Sequence, residues 1–127
     1  MLRYRILLVD DEPAFTRVIK RYLESTGSYE VRTENDGAQV MAVAREFRPH
    51  LVLLDVIMPK MDGREIAAQM KGDEHLKRVE IVFLTATVSR SEVRRQPAVQ
   101  GGPTYLAKPV AAEDVIRCIE EKLKLAA

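Results

Sequence analysis

The sequence predicts an open α/β domain, a doubly wound five-stranded parallel sheet built from five consecutive strand–helix units. Two observations carry this. Ile6-Leu7-Leu8-Val9, Leu51-Val52-Leu53-Leu54 and Ile81-Val82-Phe83-Leu84 are unbroken apolar runs of strand length. A strand with one wet face would alternate, so each is read as buried on both faces, as in a parallel sheet. Stretches of helical periodicity separate these runs, and right-handed crossovers then place helices on both faces of the sheet. Five short units are too few for an eight-stranded barrel, which leaves the open sheet.

The first apolar run is followed by a helix whose Phe15, Val18, Ile19, Tyr22 and Leu23 form one apolar stripe. Pro13 suits its first turn and Gly27 its termination. Tyr29-Glu30-Val31-Arg32-Thr33 alternates, which predicts an edge strand. Val40, Val43, Ala44 and Phe47 mark a second helix ended by Pro49. A third is expected over Gly63–Lys71 with Ile66, Ala67 and Met70 inward. Tyr105-Leu106-Ala107 is a short fifth strand. Val115, Ile116, Ile119 and Leu123 mark a last helix, with Lys122 and Lys124 where its dipole favours cations. Between residues 89 and 102, Pro97 and Gly101-Gly102 allow only a short or distorted helix.

Bulk properties narrow the function classes. The 127 residues match one domain, 46% hydrophobic and 31% charged, an ordinary globular balance. A formal net charge of +1 gives no global drive toward nucleic acid or an anionic membrane. A single cysteine, Cys118, excludes a disulfide framework and a thiolate metal cage. The N-terminus meets only a four-residue apolar run, too short for a signal peptide or a span, so a cytoplasmic protein is the expectation.

In open parallel sheets, sites form beyond the carboxyl ends of the strands. Those ends carry Asp10-Asp11-Glu12, Asp55, Thr85-Ala86 and Lys108-Pro109. Taken singly, Asp11 and Glu12 would equally serve a helix start, Thr85 a turn and Lys108 a solvated surface. Asp55 is harder to dismiss, because it follows four apolar residues and a buried unpaired carboxylate is costly. Together the residues make chemical sense. Clustered carboxylates raise one another's pKa unless a cation compensates, and Mg²⁺ suits an all-oxygen site of one or two carboxylates. Lys108 adds a second positive charge, and an ionised Asp55 between such charges is a nucleophile toward phosphorus. The Thr85 hydroxyl can donate to a phosphoryl oxygen, and small Ala86 leaves room for the group to enter.

These pieces resemble a receiver domain of the two-component response-regulator family across essentially the whole chain. The matching segments are Leu8-Val9-Asp10-Asp11-Glu12-Pro13, the run from Asp55 through Met58-Pro59 to Met61-Asp62-Gly63, Thr85-Ala86, and Tyr105-Leu106-Ala107-Lys108-Pro109. The resemblance implies a flavodoxin-like (βα)5 sheet of order 2-1-3-4-5 and a phosphorylation-operated switch, not an enzyme. It implies that Asp55 accepts a phosphoryl group from a histidine kinase's phosphohistidine or a phosphotransfer protein. Asp11 would ligate Mg²⁺ directly and Asp10 largely through water, with Asp55 and the Ile57 backbone carbonyl completing the protein's share. Lys108 would contact the phosphoryl group, and Thr85 and Tyr105 would be the switch pair. A cis Lys108-Pro109 bond is also implied. Output would pass to an unknown downstream protein through the face of the family's fourth helix, fifth strand and fifth helix.

The sequence departs from the family pattern over 88–104, where Pro97 and Gly101-Gly102-Pro103 interrupt the expected fourth helix. Arg90, Arg94 and Arg95 there make either a solvated basic face or a site for an acidic partner. Ile57 and Thr87 stand where family members tune dephosphorylation, and Ile57 has no polar group to orient water, so slow self-hydrolysis is expected. Residues 1–127 are expected to be a single receiver domain without an output domain. Two other readings remain: an Mg²⁺-dependent phosphatase with an aspartate nucleophile, which would place Asp-x-Asp after the first strand, and a phosphorylation-independent interaction module.

Overall fold

A computed structural model describes residues 3–86 and 104–123. Five parallel strands form the sheet: β1 (Tyr4–Val9), β2 (Tyr29–Glu34), β3 (Leu51–Asp55), β4 (Glu80–Thr85) and β5 (Thr104–Ala107). Their order is β2-β1-β3-β4-β5, the expected doubly wound arrangement with β2 at an edge. The helices are α1 (Pro13–Ser25), α2 (Val40–Phe47), α3 (Gly63–Lys71) and α4 (Ala112–Leu123), with a 3₁₀ turn at Gly37–Gln39. The interrupted region at 89–102, with Arg90, Arg94, Arg95 and Pro97, and also Thr87 and Lys124, lies outside the described residues.

The unbroken apolar runs are explained by the two faces of the sheet. Leu7, Val9, Val52, Leu54 and Phe83 pack against α2 and α3, with Val40, Ala44, Ile66 and Met70. Their chain neighbours Ile6, Leu8, Leu51, Leu53, Val82 and Leu84 pack the opposite way, against Ile19 and Leu23 of α1 and Val115 and Ile119 of α4. Side chains alternate across a strand, so a run with cores on both sides has no position left for a polar residue. Cys118 sits in the second core, where burial pushes its thiol up to about 11 and keeps it protonated at neutral pH.

Helix boundaries follow local chemistry. Pro13 opens α1, and Gly27 follows it at φ 82°, a conformation only glycine adopts freely. α2 stops where Arg48 takes a left-handed φ of 54°, just ahead of Pro49. The Asp62 carboxylate accepts the Arg64 N–H and so caps α3.

The apolar stripe of α1 needs correction. Thr16, Ile19 and Leu23 face the core, while Val18 and Tyr22 are 65% and 40% exposed. Thr16 can be buried because its hydroxyl donates to the Pro13 carbonyl, so no polar group is stranded. Two small features escaped the sequence reading. Ile57–Met58 and Met61–Asp62 form a two-residue antiparallel hairpin after β3, and Leu76, in the turns between α3 and β4, is fully buried. The corrected stripe predicts that Val18→Ser changes stability by less than about 0.5 kcal/mol. Leu23→Ala should cost about 3 kcal/mol through a core cavity. Urea unfolding of the two variants distinguishes them, and a comparable loss for both would restore the original stripe.

Candidate functional site: an acidic pocket at the carboxyl edge of the sheet

Strand register assembles the site. Val9 lies opposite Leu54, which sets the following residues, Asp10 and Asp55, side by side at the ends of neighbouring strands. Asp55 is in register with Leu84, and Thr85 with Ala107. The main chain continues the pairing past the strand ends: Asp10 N–H donates to Glu34 O, Val56 N–H to Leu84 O and Lys108 N–H to Thr85 O. Short-range geometry therefore carries four polar strand ends to one rim.

Asp10 is fully buried, Asp55 is 5% exposed and Asp11 is the most exposed of the three acids. One carboxylate oxygen from each lies within 4.8 Å of the others. Lys108 pairs with Asp10 Oδ2, lies 3.6 Å from Asp55 Oδ2 and 4.0 Å from Glu12 Oε1. Its ammonium also sits 5.0 Å from the centre of the Phe15 ring. Burial pulls the Lys108 pKa down, but its hydrogen bond to Asp10 and the surrounding carboxylates leave it above the ordinary value. Burial first, and the Asp10 charge second, push Asp55 up to about 6, despite Lys108 and the Ile57 N–H, which donates to Asp55 Oδ1 at 3.3 Å. One lysine is too little positive charge for this cluster. An all-oxygen, electron-rich pocket of that kind fits a hard divalent cation such as Mg²⁺.

The helix-start alternative for the acidic pair is not what the side chains do. Glu12 occupies the position before α1 without capping it, and its N–H instead donates to Asp10 Oδ1. Nor is Lys108 a solvated surface residue or Thr85 a turn residue: the Lys108 side chain is 15% exposed, and Thr85 is the last residue of β4 and 2% exposed. Ala86 is exposed just past β4. The Ile57 side chain is 60% exposed, so only its main chain faces the pocket. The Lys108-Pro109 bond is cis, as the resemblance implied. Tyr105 packs in the sheet's α2/α3 core. Its half-buried ring stacks on Phe83 at 5.3 Å between centres, on the α2/α3 side of the sheet.

Two neighbours of the pocket were not assigned to it from sequence. Glu12 joins the Lys108 network, and its place beside the acidic pair was the available signal. Asn35 donates through Nδ2 to the Asp10 carbonyl, 2.7 Å away. It lies 25 residues from its partner and belongs to no recognisable spacing.

Residues 6–120 match the family model described as the response regulator receiver domain. The chain is 29% identical over 119 residues to the polar-differentiation response regulator DivK of Brucella anthropi, covering 93% of this chain and 94% of that protein. It is 31% identical over 120 residues to RpaA, a DNA-binding dual master transcriptional regulator of Synechocystis, covering 94% of this chain but only 49% of that protein. This chain thus spans about half of RpaA and nearly all of DivK. Among solved structures, the receiver domain of the Pseudomonas aeruginosa sensor histidine kinase PA1611 superposes with a TM-score of 0.79 at 31% identity, over 97% of this chain and 99% of that one. That structure carries a magnesium ion coordinated in its active-site cleft. Among the described residues of the present chain, no helix is long and apolar enough to cross a membrane. With a flavodoxin-like sheet, an acidic pocket of Asp10, Asp11 and Asp55 suited to Mg²⁺ and aspartyl phosphate, and a family match over most of its length, the chain belongs to the receiver domains of two-component response regulators, a family of phosphorylation-dependent signalling switches.

Proposed function

We propose that Asp55 is the phosphoacceptor, taking its phosphoryl group from the phosphohistidine of a sensor histidine kinase or phosphotransfer protein. The observation that carries this is the position of Asp55, buried at the sheet rim between the Asp10 carboxylate and the Lys108 ammonium. A carboxylate oxygen of Asp55 forms the new bond to phosphorus, and the phosphorus–nitrogen bond to the donor imidazole breaks with its electron pair left on nitrogen. With a pKa of about 6, Asp55 is mostly ionised at pH 7 and able to attack.

Asp11, Asp55 and the Ile57 carbonyl would hold Mg²⁺, with Asp10 acting largely through water. When bound, Mg²⁺ supplies charge neutralisation at the phosphoryl oxygens. Lys108, now shared among Asp10, Asp55 and Glu12, turns part of its charge to the incoming group. Thr85 donates its hydroxyl to a phosphoryl oxygen, and Ala86 keeps the entrance open. Thr85 and Tyr105 together form the switch, which alters the face of the family's fourth helix, fifth strand and fifth helix. β5 and α4 are the described parts of that face. An unidentified downstream protein reads it, without direct binding to nucleic acid or membrane by these 127 residues, which act as one receiver domain in the cytoplasm.

Incubation with acetyl phosphate and Mg²⁺ tests the assignment by intact-protein mass. The wild type should gain one phosphoryl group, and Asp55→Asn should gain none. Labelling of the variant at the wild-type rate would move the acceptor elsewhere. Sustained turnover of a phosphomonoester would favour the aspartate-nucleophile phosphatase. Equal partner capture with and without beryllofluoride would favour the phosphorylation-independent module. Because the exposed Ile57 side chain offers no group to orient water, the labelled protein should keep its phosphoryl group for minutes or longer in Mg²⁺. Decay within seconds, followed without a phosphatase, would contradict this.

A further inference from the structure

The turn joining β1 to α1 carries two of the three pocket carboxylates, so its conformation decides where they point. Glu34 ends β2 opposite Val9, which places Asn35 beside Asp10. The Asn35 amide nitrogen donates to Asp10 O at 2.7 Å and to Thr16 Oγ1 at 3.1 Å. The direction of this amide is settled by chemistry, because a main-chain carbonyl can only accept. Asn35 is itself held: the Glu34 carboxylate accepts the N–H groups of both Asn35 and Asp36, at 3.1 and 3.0 Å. One side chain thus ties the last carbonyl before the turn to the first turn of the helix beyond it.

The Asp10 carbonyl belongs to the peptide plane that ends at the Asp11 nitrogen. A planar peptide moves as one unit, so a hydrogen bond at its oxygen restrains its rotation and with it the direction in which Asp11 leaves the main chain. Glu12 N–H, donating back to Asp10 Oδ1, closes the turn from the other side. We infer that Asn35 is a positioning residue for the acidic pocket, acting through the Asp10–Asp11 peptide to aim the two carboxylates at one cation. This inference rests on the proposed Mg²⁺ site. It adds to that site a residue just past the end of β2, the strand on the far side of β1 from Asp55.

Asn35 is only half-buried, so truncating it opens no core cavity. Calorimetric titration with Mg²⁺ provides the test on three proteins: wild type, Asn35→Ala, and Ile119→Val, whose substitution lies in the core beneath α4. Asn35→Ala should bind Mg²⁺ about tenfold more weakly, the usual scale for losing a group that orients a ligand. The Asp11 and Glu12 amide resonances of the Mg²⁺-free protein should shift as well. Ile119→Val should keep wild-type affinity despite a lower unfolding midpoint, which separates positioning from general stability. Wild-type affinity in Asn35→Ala overturns the inference and leaves the metal site standing. A wild type without Mg²⁺ affinity overturns both. Should Asn35→Ala not fold, Asn35→Leu removes the donor to the Asp10 carbonyl at similar volume, and unchanged Mg²⁺ affinity there overturns the inference equally.

Discussion

Replacing Gly63 with alanine is expected to cost about 3 kcal/mol or more, at the upper end of overpacking effects. Gly63 begins α3, and its N–H donates to Val56 O at 2.8 Å. A Cβ at this position would lie 2.1 Å from the Asp55 carbonyl oxygen and 3.0 Å from both Asp55 C and Val56 Cα. All three are main-chain atoms at the end of a central strand, so no side chain can swing aside to relieve the contact. The requirement is contact with backbone, not an unusual φ. Either α3 moves off β3 or the end of β3 moves, and in both cases Asp55 is displaced from Asp10 and Lys108. Thermal unfolding should show a midpoint lower by about 10 °C. The folded fraction should take up the acetyl-phosphate label more slowly. A variant with wild-type midpoint and wild-type labelling would mean that this approach is looser than the geometry indicates.

Asp55→Asn should do the opposite to stability while abolishing phosphorylation. The carboxyl pKa, ordinarily 3.8, is raised to about 6 in the folded protein, by burial and then by Asp10. Above about pH 6 the group is ionised in both folded and unfolded chains, and the fold bears the full cost of holding that charge. Below pH 3.8 it is protonated in both, and the cost vanishes. The penalty is therefore present at neutral pH and fades as pH falls between those values. Its upper limit is about 3 kcal/mol. An asparagine removes the charge but turns its NH₂ toward either Lys108 or the Ile57 N–H, which returns part of the gain. A net stabilisation of about 1–2 kcal/mol remains, several degrees in midpoint for a domain of this size. Mg²⁺-free melts at pH 7 and pH 4 are the check. The advantage of the variant should shrink on acidification, and the wild type should gain more than the variant from added Mg²⁺. A pH-independent difference would place the effect in packing instead of charge.

Both expectations concern the same residue from different sides, and they show which parts of this molecule local sequence could reveal. Three strands were legible because two cores left no polar positions in Ile6–Val9, Leu51–Leu54 and Ile81–Leu84. α3 was legible because Ile66, Ala67 and Met70 mark one face, whereas its Asp62 cap came only from the structure. In α1 the stripe was legible at Phe15, Ile19 and Leu23 but not at its margins. Val18 and Tyr22 outweighed Thr16 by hydrophobicity, and only the hydroxyl's bond to Pro13 O shows how a threonine takes the inward place. The hairpin after β3 has two-residue strands, too short for any periodicity to register.

By itself, the sequence determined the α/β class, the strands with two buried faces, and the polar residues waiting at their ends. Those properties depend on spacing along the chain, which a run of letters preserves. The tertiary structure decided how the ends combine: Lys108 shared among three carboxylates, Asp55 raised by burial and then by Asp10, Gly63 pressed against the Asp55 carbonyl, and Asn35 holding the Asp10 peptide. These partners lie between 8 and 98 positions apart in the chain. Steric energies change over an ångström or less and charge interactions over about 10 Å of space, and no distance along the sequence records either.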